Sequence, residues 1–153
     1  LQDVSKSKLE IFNHKVFIVV ARFVPLKRID IIIEAFYHLL QTQYESAKLL
    51  IVGYGKEKEK LQDQVKSLKI EEFVVFKKEA TNILSLIKSS HACILASQYE
   101  GFSNVILESM SQKSLVIASD IEANKELIKH KETGLLFQVD NVEDLCKKMI
   151  FSF

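Results

Sequence analysis

Glu100 and Glu108 stand eight positions apart in the stretch Tyr99-Glu100-Gly101-Phe102-Ser103-Asn104-Val105-Ile106-Leu107-Glu108. Between them a glycine turn gives way to an apolar run compatible with a helix. If the chain is helical from Ser103, Glu108 lies only about 8 Å along the axis from the helix start. One ligand can then touch both carboxylates and the unpaired N–H groups of the first turn. That arrangement suits a molecule carrying hydroxyls and a phosphate. Glu108 can accept two hydrogen bonds from a ribose diol, and Glu100 can hold a sugar hydroxyl or balance charge near a reacting carbon. Gly101 permits close approach of the backbone, and a purely solvated loop has no need of Phe102.

A second group of charges is Arg22 and Lys27, five residues apart around Pro25. Two fixed cations at a strand's end suit a diphosphate, Arg22 as a fork and Lys27 as a point charge. Taken alone they also fit a solvated basic loop. A position opposite the helix start at Ser103 favours phosphate. Gly53-Tyr54-Gly55 follows an apolar run, but position 58 is Lys58, so the dinucleotide fingerprint is incomplete. The turn either lets a ligand's base approach the backbone or is structural. His14, His38, His91 and His130 are scattered without metal-ligand spacing, and Asp120-x-Glu122 is a weak acid pair, so no metal is expected. There is no nucleophile elbow. Cys93, inside Ala92-Cys93-Ile94-Leu95-Ala96, reads as a buried structural thiol.

The elements that must position these residues alternate. Val16 to Ala21, Leu49 to Val52, Phe73 to Phe76, Ala92 to Ala96, Leu115 to Ala118 and Gly134 to Phe137 are short apolar runs of strand type. Between and after them, helical spacing predicts helices from Asp30 to Leu40, Lys56 to Lys69, Asn82 to Ser89, Ser103 to about Gln112, Asn124 to His130, and from Asn141 or Val142 onward. Regular alternation predicts an α/β fold: a doubly wound, parallel, six-stranded Rossmann-like sheet ordered 3-2-1-4-5-6. Ligands in such sheets bind at the carboxyl ends of the strands, where the winding reverses. The loops holding Arg22 to Arg28 and Ser97 to Ser103 flank that point.

The chain has 153 residues, 48% hydrophobic and 27% charged, which suits one domain with a real core. A net charge of +1 offers no electrostatic case for nucleic acid. No apolar run approaches a membrane span, and the polar lead-in of residues 1–15 is unlike a signal peptide. Two cysteines make no disulfide framework and fit a reducing cytoplasm. The Leu1 start and the Phe153 end read as a piece of a longer protein.

Taken together, four segments carry a resemblance. Val19-Val20-Ala21-Arg22-Phe23-Val24-Pro25-Leu26-Lys27 is similar to the Gly-Arg-Leu-x-x-x-Lys segment of group 1 (family 4) retaining glycosyltransferases of the GT-B fold. Leu50-Ile51-Val52-Gly53-Tyr54-Gly55 resembles their second-strand glycine turn, and Glu100 to Glu108 resembles their paired-glutamate signature. Glu126-Leu127-Ile128 with Thr133-Gly134-Leu135-Leu136-Phe137 resembles their closing block. The resemblance covers about residues 16–150. It departs from the family where glycines are usual, at Ala21, near Lys77 and Lys78, near Lys113, and at Glu122-Ala123.

The resemblance implies a donor-binding C-terminal domain over residues 16–153, with the N-terminal acceptor domain absent. It implies that Arg22 and Lys27 clamp the donor diphosphate, that Glu100 contacts the transferred sugar, and that Glu108 binds the ribose. Backbone around Gly101, Phe102, Ser103, Asn104 and Val105 would reach sugar and phosphates. It further implies sugar transfer from a nucleoside-diphosphate sugar, with retention and without a metal or other cofactor. The acceptor would be a glycan or lipid-linked glycan in bacterial polysaccharide synthesis, and the full enzyme cytoplasmic, or peripheral at the inner membrane face. The rival readings are a nucleotide-sugar epimerase of the same architecture and a non-catalytic nucleotide-sugar-binding module.

Overall fold

A computed structural model describes residues 14–153, so most of the expected lead-in lies outside the described residues. Six strands form one sheet: β1 (Val16–Val20), β2 (Lys48–Val52), β3 (Val74–Lys77), β4 (Ala92–Leu95), β5 (Leu115–Ser119) and β6 (Leu135–Phe137). Their order is β3-β2-β1-β4-β5-β6 and every pairing is parallel. The expected doubly wound sheet is therefore present.

Helices cover both faces, which is why the strands read as unbroken apolar runs. Along β1, Phe17 and Val19 enter one core and Val16 and Ile18 the other, the alternation that a pleated strand imposes. The first core packs under α1 (Ile29–Leu40), α2 (Lys58–Ser67) and the last helix, α6 (Val142–Phe151). The second packs under α3 (Ile83–Ser89) and α4 (Asn104–Ser111), with Ile128 beyond the short helix α5 (Glu122–Lys125). Because β1 leads to α1 on one face and β4 to α4 on the other, their loops part above the sheet. The site occupies that gap.

Two helices differ from expectation. The fifth is a single turn over Glu122–Lys125 instead of Asn124 to His130. Asn124 is wholly buried and its amide bonds Ser119, while the chain must extend again for the His130–Gly134 bridge. Helix α2 stops at Ser67, short of Lys69, whose φ of 56° is left-handed and cannot continue a right-handed helix. Lys113 also lies in the left-handed region, at φ 57°.

Candidate functional site at the carboxyl ends of β1 and β4

After β1 the chain makes a single 3-10 turn, Pro25–Lys27, because proline fixes φ for such a turn. The turn swings Lys27 across the sheet, where its Nζ pairs with Oε1 of Glu100, from the loop after β4. The Ser97 hydroxyl donates to the same oxygen at 2.8 Å. Both donors converge on Oε1, and among the described residues Oε2 has no hydrogen-bond partner. The Glu100 side chain is only 14% exposed.

Beside this pair, α4 begins. Ser103 occupies the N-cap in extended conformation, yet its side chain accepts no first-turn N–H. Serine at this position ordinarily caps; here it is buried and the helix start is left for another acceptor. A cavity of about 190 Å³ opens between the two loops, bounded by Ala21, Lys27, Glu100, Phe102, Ser103, Asn104 and Val105 among others. Two anion-attracting features, a cation and the positive end of a helix, thus face one small space beside a carboxylate. That combination can hold an anionic group next to hydroxyls.

The other expected site residues lie around this centre. Arg22 is exposed on the loop next to Ala21, without an ion pair among the described residues. Glu108 is half-buried on the second turn of α4 and has no side-chain partner among the described residues. Gly101 is open, with nothing within 4 Å of a built Cβ. The turn at Gly53 and Gly55 is occupied by the chain itself. A Cβ at Gly53 would lie 1.8 Å from the Ala21 carbonyl oxygen, and one at Gly55 2.4 Å from that of Phe23. Both glycines have φ near +150°, and their tight packing lets Phe23 N–H donate to Tyr54 O at 2.7 Å. The glycine turn therefore holds the β1 loop in place.

Several positioning groups escaped the sequence reading. Arg28, at φ 46°, donates to both oxygens of Asp30 at 3.1 Å and pairs with Asp140 at 2.5 Å. Those carboxylates, Asp30 first, hold the guanidinium even more firmly protonated than usual. Asp140 also accepts from Gln98 Nε2 at 2.7 Å, and Gln98 N–H donates to Leu26 O at 3.1 Å. The loops after β1, β4 and β6 are thereby tied together. Arg28 and Asp140 are far apart in sequence, so no local spacing announces their contact. Glu122 points outward and pairs with Lys125 at 2.6 Å. Cys93 is fully buried, and desolvation pushes its thiol up to about 11, which removes it as a nucleophile at neutral pH. Among the described residues, no three metal-binding side chains cluster, and no helix is long and apolar enough to cross a membrane.

A family model for group 1 glycosyl transferases matches residues 2–151. The chain belongs to the group 1 glycosyl transferase family. An uncharacterized glycosyltransferase of Haemophilus influenzae is 31% identical over 93% of this chain and 40% of its own length. The N-acetyl-alpha-D-glucosaminyl L-malate synthase of Bacillus anthracis is 31% identical over 90% of this chain and 36% of its own. Among solved structures, a variant of Staphylococcus aureus TarM in complex with fondaparinux, alpha-GlcNAc-glycerol and UDP superposes with a TM-score of 0.86. It is 27% identical and the match covers 90% of this chain but 28% of TarM. This group 1 domain thus spans well under half the length of the relatives it matches.

Proposed function

We propose that this domain is the donor-binding half of a glycosyltransferase that moves a sugar from a nucleoside-diphosphate sugar to an acceptor with retention of anomeric configuration. The observation carrying this reading is the meeting of Lys27, Glu100 and the uncapped start of α4 around one cavity. The diphosphate sits against the α4 start, where N–H groups and the helix dipole favour negative charge. Lys27 exchanges its contact with Glu100 for a phosphate oxygen, and Arg22 closes from the rim. Glu108 takes the ribose diol.

In the reaction the bond from the anomeric carbon to the diphosphate oxygen breaks, and its electron pair leaves with the diphosphate. Charge grows on that oxygen in the transition state, so preorganised cations and N–H donors lower the barrier more than they strengthen ground-state binding. Glu100, freed of Lys27 but still held by Ser97, receives a sugar hydroxyl. The acceptor oxygen bonds to the anomeric carbon on the face from which the diphosphate departs, and its proton passes to the departing diphosphate oxygen. The acceptor is a glycan or lipid-linked glycan, and the groups that would bind it belong to an acceptor domain facing this one. No metal is required for the charge balance described.

Calorimetric titration of this chain with UDP tests the reading. Weak binding is expected, without sugar transfer by the domain alone. Absence of binding to UDP, ADP and GDP alike, or turnover by the isolated 153 residues, would overturn it.

A further inference from the structure

Three polar side chains run inward from Glu100 into what is otherwise an apolar sheet. Ser97 is 2% exposed, and Ser119 and Asn124 are fully buried. Asn124 Nδ2 donates to the carbonyl of Ser119 at 2.9 Å and reaches its hydroxyl at 3.4 Å. The Ser119 hydroxyl donates to the Ser97 carbonyl at 2.6 Å, and the Ser97 hydroxyl donates to Glu100 Oε1 at 2.8 Å. Each donor in the series points the same way, from α5 through the ends of β5 and β4 to the carboxylate.

The arrangement is costly for mere packing. Among the described residues Asn124 Oδ1 is buried with no hydrogen-bond partner, and an unpaired buried acceptor costs free energy. An apolar residue would fill the same space without that cost. What the amide adds is a fixed position for the end of β5, and through Ser119 a fixed position for the Ser97 peptide.

We infer that Ser97, Ser119 and Asn124 are positioning residues that fix Glu100 by its Oε1 and so present Oε2 to the donor sugar. The inference rests on the donor-binding reading above and adds to it how the carboxylate is aimed. Lys27 is the exchangeable partner of Oε1, because the diphosphate competes for it. Ser97 is the permanent one, because its peptide is held from behind by the Ser119 hydroxyl. When donor binding draws Lys27 away, the buried chain keeps the carboxylate from following it.

The two roles separate by ligand. Affinity for UDP depends on Lys27 and the α4 start, whereas the additional contact with the sugar depends on Glu100. The experiment is calorimetric titration of the chain and its Ser97→Ala and Ser119→Ala variants with UDP, UDP-GlcNAc and UDP-glucose. For Ser97→Ala, affinity for at least one nucleotide sugar should fall about tenfold, the equivalent of one hydrogen bond to a charged group. UDP affinity should stay within about twofold, which also shows that the variant is folded. Ser119→Ala should give the same split with a smaller fall of roughly threefold. If UDP and the sugars weaken in parallel, or neither changes, the positioning assignment is wrong while the donor-binding reading stands. If the wild type binds none of the three and neither ADP nor GDP, the donor-binding reading fails and the assignment falls with it; if it binds ADP or GDP instead, the same split is read with the matching nucleotide sugar.

Discussion

At the carboxyl ends of β1, β4 and β5 the groups in contact are Lys27, Glu100, Ser97, Ser119 and Asn124. At the amino ends of β1 and β4 they are rings. Phe17 meets His91 edge-on at 5.4 Å, Phe153 stacks on Tyr44 at 3.9 Å and on His91 at 4.7 Å. Both ends close the same sheet, and they do so with opposite chemistry. Rings bury large apolar area with little directional demand beyond offset or edge-on geometry. Hydrogen-bonded groups bury little area and demand exact partners, since each unpaired one costs free energy. The amino end is the natural place for stability, and the carboxyl end for aim. A fold that separates them can alter one without wrecking the other.

Mutations can break that comparison, starting with the largest effect. Gly53→Ala sets a methyl group 1.8 Å from the Ala21 carbonyl oxygen, which is backbone and cannot swing aside, with the Phe23 ring also close at 3.1 Å. It should destabilise the domain by about 4 kcal/mol or more, read as a lower urea midpoint, and displace the β1 loop with its cation. Phe17→Ala empties a fully buried ring site at the opposite end. A loss of about 3–4 kcal/mol is expected. Below its melting temperature the variant should still bind UDP as the wild type does, and weaker binding would mean that the two ends are coupled.

Lys27→Ala tests the carboxyl end alone. It should weaken UDP binding roughly tenfold or more, as expected for a lost charge-assisted contact, with a change in melting temperature of only a degree or two. A large fall in stability would reassign the Lys27–Glu100 pair from ligand exchange to structure. Lys113→Gly acts at the far end of α4, where lysine sits at φ 57°. Relief of that strain, offset by the greater freedom of glycine in the unfolded chain, should stabilise by about 0.5–1 kcal/mol, visible as a higher urea midpoint.

The smallest effect is that of pH on the ring cluster. Burial, followed by the nearby positive charge of Lys15, lowers the pKa of His91. Its folded value therefore lies below its unfolded value, and the unfolded chain binds more protons as pH falls through the unfolded value near 6.5. Stability should drop between about pH 7 and pH 5 by a small increment that His91→Gln lacks. Equal pH dependence of melting in both proteins would show that His91 remains solvated when folded.

The order of strands and the meeting of the two loops were legible because they follow from periodicity and handedness. Apolar runs of strand length separated by helical spacing admit one economical sheet, and right-handed crossovers then place the loops after β1 and β4 side by side. The helix start at Ser103 and the carboxylate at Glu100 come from neighbouring residues, so local pattern found them too. The single turn of α5 was misjudged because the pattern of Asn124 to His130 looked helical, while the Asn124 amide serves a strand instead.

Residue type and spacing by themselves determined the sheet and the meeting of the loops after β1 and β4. Tertiary structure alone decided that Gly53 and Gly55 admit the chain's own β1 loop, that Lys27 rests on Glu100, and that Arg28 reaches Asp140. It also decided that a line of buried hydroxyls and an amide stands behind the carboxylate. The physical reason is range. Periodicity and caps act over one or two turns, whereas a hydrogen bond between side chains from different loops depends on how whole strands register. Ångström-scale register is set by packing of the complete core.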